Sequence, residues 1–289
     1  MLITLFTPTY NRARLLPRLF ESLCKQSYRD FEWVIVDDGS KDNTKDTVRK
    51  IIEKHKSSFP IRYYYKQNGG KHTAINVGIS SAKGELFLIL DSDDTLPSDS
   101  LENIAYYYSQ IRDNKPFGGV CGYMAHHDGT IIGHGCGEEI IDTNGIDLRY
   151  KYNVVGDMCE VFRTDVLREF PFPEIEGERF CPEALIWNRI ATKYKLRVFK
   201  KVVYFRDYLD GGLTDKIVKI RMNSPVASMM TYAEMTQYDI PLRQKIKSAI
   251  NYWRFRLCAN GSKRIGISWF WYLFAPLGLL MHIRDKRIE

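Results

Sequence analysis

The sequence is 289 residues long, with 44% hydrophobic and 27% charged residues, which is typical of a globular protein with a sizeable core. Its net charge of +7 is concentrated near one end, because residues 241–289 carry ten Lys and Arg against two acidic residues. The rest of the chain is close to neutral, whereas a nucleic-acid-binding protein carries positive charge across a folded face. We therefore expect no nucleic-acid partner.

The cysteines and the N-terminus indicate a reducing compartment. Six cysteines follow no regular spacing, which is typical of free thiols. The opening residues, MLITLFTPTYN, lack the basic segment and the cleavage site of a signal peptide. We expect these residues to form the first strand of the fold and the protein to be cytoplasmic.

Short apolar runs alternate with helix-like segments over the first third of the chain. The predicted strands are residues 2–6, 31–36, 61–65 and 85–90, and the predicted helices are residues 12–26, 42–55 and 73–82. This alternation predicts an α/β fold with a doubly wound, mostly parallel sheet. Further along, residues 118–135 predict a hairpin around Asp128-Gly129, and residues 181–194 predict a helix.

Each of the four predicted strands is followed by a polar, turn-forming cluster. The clusters are residues 7–11, 37–40, 68–71 and 91–94. One such cluster alone is ordinary turn chemistry, but four of them, with a lysine and paired acids, favour a ligand site. Because the carboxyl ends of parallel strands share one edge of the sheet, we expect the four loops to meet in a single crevice.

The stretch LILDSDDTLP places three carboxylates, Asp91, Asp93 and Asp94, directly after a predicted strand. Crowded carboxylates are unfavourable unless a positive group lies among them. A D-x-D at a strand end suits Mn²⁺ or Mg²⁺, which prefer oxygen ligands and often complete their coordination with substrate phosphates. The sequence therefore predicts a divalent metal that holds a nucleotide diphosphate.

Several stretches together resemble the family 2 glycosyltransferases, which have the GT-A fold. TPTYNRARLLPRLFESLCKQSYRDFEWVIVDDGSKDNT resembles their N-terminal signature, and NGGKHTAINVGISSAKGELFLILDSDD resembles the segment that leads into their D-x-D. EGERFCPEALIWNRI resembles the helix that bears the catalytic carboxylate. DYLDGGLT, at residues 207–214, resembles the loop that follows in bacterial polysaccharide enzymes. The resemblance covers about residues 2–215, in order.

The resemblance implies roles in binding the nucleotide. Thr7 and Pro8 would border the uracil and ribose pocket. Asp38 would accept a hydrogen bond from the N3–H of the pyrimidine, which favours UDP or dTDP over GDP. Lys71 would lie near the base or the diphosphate as a point charge.

The resemblance also implies roles around the D-x-D. Asp91 would face the ribose and contribute to the metal site, Asp93 would ligate the metal, and Ser92 would belong to the nucleotide-sugar site. Asp94 has two open interpretations, since it either joins this site or caps the following helix.

The resemblance implies an inverting displacement in which Glu183 takes the proton from the acceptor hydroxyl. Many relatives have Glu-Asp at this point, but the neighbour here is Ala184, which leaves Glu178 as the reserve candidate. Alternatively, Glu183 only stabilises the N-terminus of its helix. The Q-x-x-R-W motif of processive members is missing, so we expect one sugar to be transferred per acceptor.

The C-terminal region predicts contact with a membrane. Residues 265–283 hold no charged side chain apart from a protonatable His282, and basic residues, including Lys263-Arg264, flank them. Pro276 and two glycines are expected to break or kink the segment. We expect a helix or helical hairpin in the cytoplasmic leaflet, supported by the basic, amphipathic residues 243–258. A spanning helix and a buried helix remain alternatives.

The sequence thus predicts a GT-A catalytic domain at residues 1–222, with a nucleotide-sugar half (1–95) and an acceptor half (96–222). Residues 223–289 are predicted to form a helical membrane-associating region. The expected function is transfer of a sugar, most simply from a UDP-sugar, to a glycan or lipid-linked acceptor during cell-surface polysaccharide synthesis. An inactive nucleotide-sugar-binding scaffold and a sugar-1-phosphate nucleotidylyltransferase are the alternatives, the latter disfavoured because the first loop has no glycine.

Overall fold

The computed structural model describes residues 1–54, 59–206, 216–259 and 265–288. The predicted loop at 207–214 and the pair Lys263-Arg264 lie outside these described residues. The chain divides into two compact units, one formed by Met1–Pro171 and Asn188–Asp207 and the other by Phe172–Trp187 and Tyr208–Glu289. A functional boundary at residue 222 stays a prediction.

The first unit is built on a single sheet, in which the described residues form eight strands in the order β3-β2-β1-β4-β7-β5-β8-β6. The strands are β1 (Ile3–Thr9), β2 (Phe31–Asp37), β3 (Ile61–Tyr65), β4 (Leu86–Ile89), β5 (Phe117–Ala125), β6 (Ile140–Thr143), β7 (Met158–Arg163) and β8 (Lys195–Phe205). The helices along the same stretch of chain are α1 (Leu16–Cys24), α2 (Thr44–Lys54), α3 (Lys71–Ser81), α4 (Ser100–Ser109), α5 (Gly145–Tyr150), α6 (Thr164–Glu169) and α7 (Glu183–Ala191).

The sheet is mixed, and the prediction of a mostly parallel sheet holds only for its first half. β1 runs parallel to both β2 and β4, and β2 runs parallel to β3. β7 is antiparallel to β4 and β5, and β6 is antiparallel to β8, while β5 and β8 are parallel. β6 and β7 therefore run opposite to every strand with which they pair, so the second half of the sheet is mixed.

The central strands of the first half of the sheet are completely buried. Every residue of β1 and β2 is buried, as expected for central strands that helices cover on both faces. The largest side chain in this core is Trp33, which stacks against Phe20 of α1. Each of the four predicted strands is confirmed, with β1 extending three residues further than predicted, to Thr9.

Two other predictions need correction. The predicted helix at 12–26 begins only at Leu16, because Pro17 occupies its first turn, where a missing N–H is tolerated. The turn around Asp128-Gly129 forms, since the His126 N–H donates to the Thr130 carbonyl at 2.8 Å. The second arm of the predicted hairpin makes only an isolated bridge between Ala125 and Ile131, not a strand.

The described part of the second unit is helical. Its helices are α8 (Ile217–Met222), α9 (Pro225–Met235), α10 (Leu242–Arg256), a 3₁₀ helix (Trp269–Phe274) and α11 (Ala275–Ile288). The predicted break near Pro276 is present, because the 3₁₀ helix ends at Phe274 and α11 begins at Ala275, with Pro276 in its first turn, where proline fits. Gly278 lies within α11 and does not break it, and its lack of a side chain allows α10 to approach at Trp253.

The C-terminal segment of this unit is anchored at some positions and exposed at others. Arg254 forms a buried ion pair with Asp285, and the Trp253 indole donates to the Trp271 carbonyl at 3.0 Å. Large exposed apolar side chains remain at Trp269, Phe270, Tyr272, Leu273, Leu277, Leu279, Leu280 and Ile283. Among the described residues, the length and apolarity needed to cross a bilayer occur together in none of the helices.

Candidate active site

The candidate site lies at the carboxyl ends of β1, β2 and β4. β1 pairs with β2 on one side and with β4 on the other, so the chain reverses its order of winding beside β1. Ligands of open α/β sheets bind at such a switch point. All the predicted donor and metal residues, from Thr7 to Asp93, belong to this first unit, whereas Glu183 belongs to the second.

Asp38 organises the loop between β3 and α3. Its buried carboxylate accepts hydrogen bonds from the Gly69 N–H (2.9 Å), the Gly70 N–H (2.7 Å) and the ammonium of Lys66 (2.7 Å). The Asn68 amide donates to the Asp38 carbonyl at 2.8 Å. The carboxylate therefore fixes the loop, and Oδ2, which receives only the Gly70 N–H within the described residues, keeps acceptor capacity for a ligand.

Backbone conformation brings this loop close to the end of β2. Gly39 has a φ of +84°, and a Cβ there would lie 2.8 Å from the Asn68 nitrogen, so only glycine fits. Gly70, with a φ of +97°, turns the chain into α3. The two glycines of different clusters thus let neighbouring loops approach each other, as the sequence predicted.

Lys71 provides the positive group among the carboxylates of the D-x-D. Its ammonium lies 2.7 Å from Asp91 Oδ1 and 2.9 Å from Oδ2. Lys71 is the first residue of α3, and Asp91 follows β4, so the two loops are joined by this ion pair. The sequence expected Lys71 near the base or diphosphate, and the structure adds its contact with Asp91.

The Asp91–Asp94 turn is held by two further residues. The Asp94 N–H donates to the Asp91 carbonyl at 3.1 Å and closes the turn. Arg18 of α1 donates to the Asp93 carbonyl. The Tyr204 hydroxyl, from β8, accepts from the Asp91 N–H at 3.0 Å and donates to Asp94 Oδ2 at 2.7 Å.

Asp94 is a buried member of this turn and does not cap the following helix. Burial, with repulsion from Asp91 and Asp93, raises its pKa to about 7 against the opposing effects of the Tyr204 hydrogen bond and the Arg206 charge. Arg206 itself donates to the Asp157 carboxylate at 2.7 Å. Of the two interpretations of Asp94, its contacts favour membership of the D-x-D turn over capping of the following helix.

The Asp93 carboxylate has no hydrogen-bond or ion-pair partner in the part of the chain that the structure describes. It therefore differs from Asp91 and Asp94, whose carboxylates are occupied. No group of three or more His, Cys, Asp or Glu among the described residues could hold a metal ion by itself. One free and one shared carboxylate fit Mg²⁺ or Mn²⁺ when substrate phosphates supply the other ligands.

The remaining predicted donor residues are buried around this edge. The Thr7 hydroxyl accepts a hydrogen bond from the Trp33 indole at 2.9 Å, and Pro8 is buried next to it on β1. Ser92 is buried between the two aspartates of the D-x-D. Thr9, at the end of β1, holds a buried hydroxyl without a hydrogen-bond partner among the described residues.

The two candidate bases differ in their surroundings. Glu178 Oε1 accepts from the Val226 N–H at 2.6 Å, and its Oε2 accepts from the Ala227 N–H at 2.9 Å. Glu178 therefore caps α9, and its reserve role as a base is not supported. Glu183, the partly exposed first residue of α7, remains the candidate.

Sequence reasoning missed Lys66, Arg18 and Tyr204. Lys66 follows β3 and donates to Asp38, Gln67 and Thr73, but an isolated lysine after a strand gives no distinctive signal. Tyr204 lies in the run KLRVFKKVVYF, where it is indistinguishable from an ordinary core aromatic. Only the tertiary structure brings its hydroxyl to Asp91, 113 residues away.

Comparison with known proteins identifies the family. The model of glycosyl transferase family 2 matches residues 4–162, so the chain belongs to this family. A glycosyltransferase of Rickettsia felis is 34% identical over 151 residues, which are 52% of this chain and 21% of that protein. The GalNAc(5)-diNAcBac-PP-undecaprenol beta-1,3-glucosyltransferase of Campylobacter jejuni is 26% identical over 73% of this chain and 67% of its own length. The matches cover 21% to 36% of the length of the first four curated relatives.

Solved structures share the fold. TarS 1-349 of S. aureus, in complex with UDP-GlcNAc, superposes with a TM-score of 0.64 at 17% identity, covering 99% of this chain and 90% of that chain. The mannosyltransferase PcManGT of Pyrobaculum calidifontis, in complex with GDP-Man and Mn²⁺, gives a TM-score of 0.58 at 17% identity, covering 98% and 87%. At these identities the likeness establishes a GT-A-type fold and nothing finer.

Proposed function

We propose that this chain is a metal-dependent, inverting glycosyltransferase that moves one sugar from a nucleotide-sugar, with a UDP-sugar favoured, to an acceptor hydroxyl. The observation that carries the proposal is the D-x-D turn at the switch point of the sheet, with Asp93 unpaired in the described chain and Lys71 on Asp91. Family membership and the UDP-GlcNAc bound by TarS support a nucleotide-sugar donor.

In this proposal the nucleotide binds along the ends of β1 and β2. Thr7 and Pro8 border the uracil and ribose, and Asp38 accepts from the N3–H of the base through its remaining capacity at Oδ2. The GDP-Man bound by PcManGT shows that a relative of the same fold takes a guanine nucleotide, so the choice of UDP rests on Asp38.

Asp93 and Asp91 would hold Mn²⁺ or Mg²⁺ in this proposal, with Ser92 beside them. When bound, a divalent cation there neutralises the charge that develops on the diphosphate leaving group. Lys71 orients Asp91 through their ion pair, and its positive charge also favours the diphosphate. The Mn²⁺ in the PcManGT complex supports a divalent metal in this fold.

Glu183 is the proposed general base. Its carboxylate would take the proton from the acceptor hydroxyl as that oxygen attacks the anomeric carbon from the face opposite the leaving group, which inverts the configuration. Such general-base catalysis contributes about 10²–10⁴-fold in rate. Glu178 is the less favoured candidate, because each of its two oxygens already accepts a backbone N–H group of α9.

The acceptor is proposed to be a glycan or a lipid-linked glycan of cell-surface polysaccharide synthesis, met at the inner face of the cell membrane. Exposed Trp269, Phe270, Leu273 and Leu280 in the C-terminal segment support insertion into a membrane interface. The basic residues of the same region, such as the exposed Arg284, support attraction to anionic lipid. The undecaprenol-linked substrate named for the Campylobacter relative is consistent with such an acceptor.

The proposal is tested by measuring UDP release and product formation with a panel of UDP-sugars, Mn²⁺ and polyprenyl-diphosphate-linked glycans. We expect transfer with one donor and acceptor, a product of inverted anomeric configuration, and loss of transfer in Glu183→Gln with UDP binding retained. Binding of UDP-sugar without turnover on any acceptor, soluble or lipid-linked, would support an inactive scaffold instead.

A further inference from the structure

The Tyr204 hydroxyl bonds to the D-x-D turn at two of its aspartates. Tyr204 is 2% exposed, and its hydroxyl uses both of its hydrogen-bonding functions on this turn. It accepts from the Asp91 N–H at 3.0 Å and donates to Asp94 Oδ2 at 2.7 Å. A phenylalanine at this position would leave a backbone donor and a carboxylate unsatisfied in a buried place, which is unfavourable.

The backbone beside Tyr204 is joined to the same segment. The Thr95 N–H donates to the Phe205 carbonyl at 3.1 Å, and the Phe205 N–H donates to the Thr95 carbonyl at 2.8 Å. These two hydrogen bonds fix the backbone after the turn against the backbone of β8 next to Tyr204. The turn has little freedom to move relative to the Tyr204 ring.

These contacts hold the side chains of Asp91 and Asp94 but not that of Asp93. Asp91 is held through its N–H and its carboxylate, Asp94 through its carboxylate, and Asp93 through its carbonyl only. The Asp93 carboxylate alone remains without a partner in the described chain. Fixing the neighbours of a metal ligand in this way orients that ligand before the metal binds.

We propose that Tyr204 is a positioning residue for the metal site, and that Asp94 acts with Tyr204 rather than as a metal ligand. The hydroxyl holds the Asp91–Asp94 turn in the conformation that presents the Asp93 carboxylate to the cation. This inference rests on the proposed function, because it assumes that Asp93 binds a divalent metal together with a nucleotide diphosphate.

The test measures Mn²⁺ affinity directly, by electron paramagnetic resonance of free Mn²⁺ in the presence of saturating UDP. We expect Tyr204→Phe to weaken Mn²⁺ binding by about 10–100-fold, the range typical for the loss of a group that orients a ligand. UDP affinity without metal should stay within about two-fold, since the base and ribose contacts are elsewhere.

Tyr108→Phe is the matched control. Tyr108 is 1% exposed, and its hydroxyl donates to Glu85 Oε1 at 2.6 Å. Glu85 directly precedes β4, at the end of the strand away from the D-x-D turn. This variant loses a hydroxyl–carboxylate hydrogen bond from a buried tyrosine to a partly exposed carboxylate, so it should lower thermal stability and leave Mn²⁺ affinity unchanged. Equal losses of Mn²⁺ affinity in both variants would reveal a general effect of destabilisation and overturn the proposal.

Two substitutions of Asp94 separate positioning from ligation and serve if Tyr204→Phe does not fold. Asp94→Asn keeps an oxygen that accepts from Tyr204, so it should retain Mn²⁺ affinity, whereas Asp94→Ala should weaken it as Tyr204→Phe does. Equal losses in Asn and Ala would make Asp94 a ligand and overturn the proposal. If the wild type itself bound no Mn²⁺ with UDP, the metal-dependent function would fail, a result distinct from an unchanged Tyr204→Phe.

Discussion

The carboxylate of Asp38 joins three parts of the donor site, because it accepts from Gly69 and Gly70 and pairs with Lys66. A buried carboxylate that receives several N–H groups is held in one orientation. Residues of this kind serve the ligand and the loop at once, so the effect of replacing them is larger than one lost contact.

We predict that Asp38→Asn lowers UDP affinity about ten-fold or more, because hydrogen bonds to charged groups contribute about 1.5–3 kcal/mol and an amide must turn a donor toward one of the loop N–H groups. The loss should be the same with and without Mn²⁺, since Asp38 is not a metal ligand. Calorimetric titration of UDP measures it. A loss seen only with Mn²⁺ would contradict the assignment of Asp38 to the base.

Glu183, the first residue of α7, gives a prediction about catalysis. Glu183→Gln should lower the rate of transfer by about 10²–10⁴-fold, because it removes the general base. Glu183→Gln should leave UDP affinity unchanged. Steady-state transfer rates and UDP titrations of the same preparation measure both, and an active Glu183→Gln enzyme would remove Glu183 from the mechanism.

At the scale of elements, Glu178 connects its own segment to the N-terminus of α9 through Val226 and Ala227. We predict that Glu178→Ala lowers the free energy of unfolding by about 0.5–2 kcal/mol, the range for loss of a helix cap. Glu176→Ala, an exposed glutamate two residues earlier, is the control and should change stability little. Equal thermal stability of the two variants would show that the cap is unimportant.

The first four strands and the loops after them were predictable, because each strand is a short β-branched or aromatic run followed by turn residues. The later strands were not predictable to the same degree. β6 and β7 run antiparallel to their partners, and those partners lie far away in the sequence, so local sequence does not indicate their direction. The break predicted from Pro276 does occur, because α11 begins at Ala275, directly before it.

Within the candidate site, the sequence pointed to the residues with turn or charge signatures and not to those with core-like surroundings. Asp38, Lys71 and Asp91 stand in polar clusters after strands, and the structure brings all three to one edge of the sheet. Tyr204 lies within an apolar strand, and its role follows only from contacts across 110 or more residues of sequence. Long-range hydrogen bonds of this kind leave no local pattern.

At the scale of the whole molecule, charge and exposed apolar surface coincide in the C-terminal region. Trp269 and Leu273 are 83% and 79% exposed, in a region that holds ten basic and two acidic residues. Arg254 is already paired with Asp285, so the attraction to lipid rests on the other basic residues. Large exposed apolar patches mark interaction sites, and basic neighbours favour an anionic surface.

We predict that the protein binds vesicles containing phosphatidylglycerol and that added salt weakens this binding. The double variant Trp269→Ser/Leu273→Ser should bind vesicles at least about ten-fold more weakly, since burial of even one large apolar side chain contributes about 1.5–3 kcal/mol. Tyr106→Ser, an aromatic 61% exposed on α4, is the control and should bind as the wild type does. Vesicle co-sedimentation measures all three, and equal binding by the double variant would argue against membrane insertion at this segment.

The central claim, that the D-x-D turn binds a metal with a nucleotide diphosphate, is tested most directly by calorimetric titration of UDP, with GDP as control, in the presence and absence of Mn²⁺. The account predicts that Mn²⁺ strengthens UDP binding in the wild type and in Asp113→Ala, an exposed aspartate after α4. It predicts that Asp93→Ala loses this strengthening. UDP binding that ignored both the metal and Asp93 would contradict the claim.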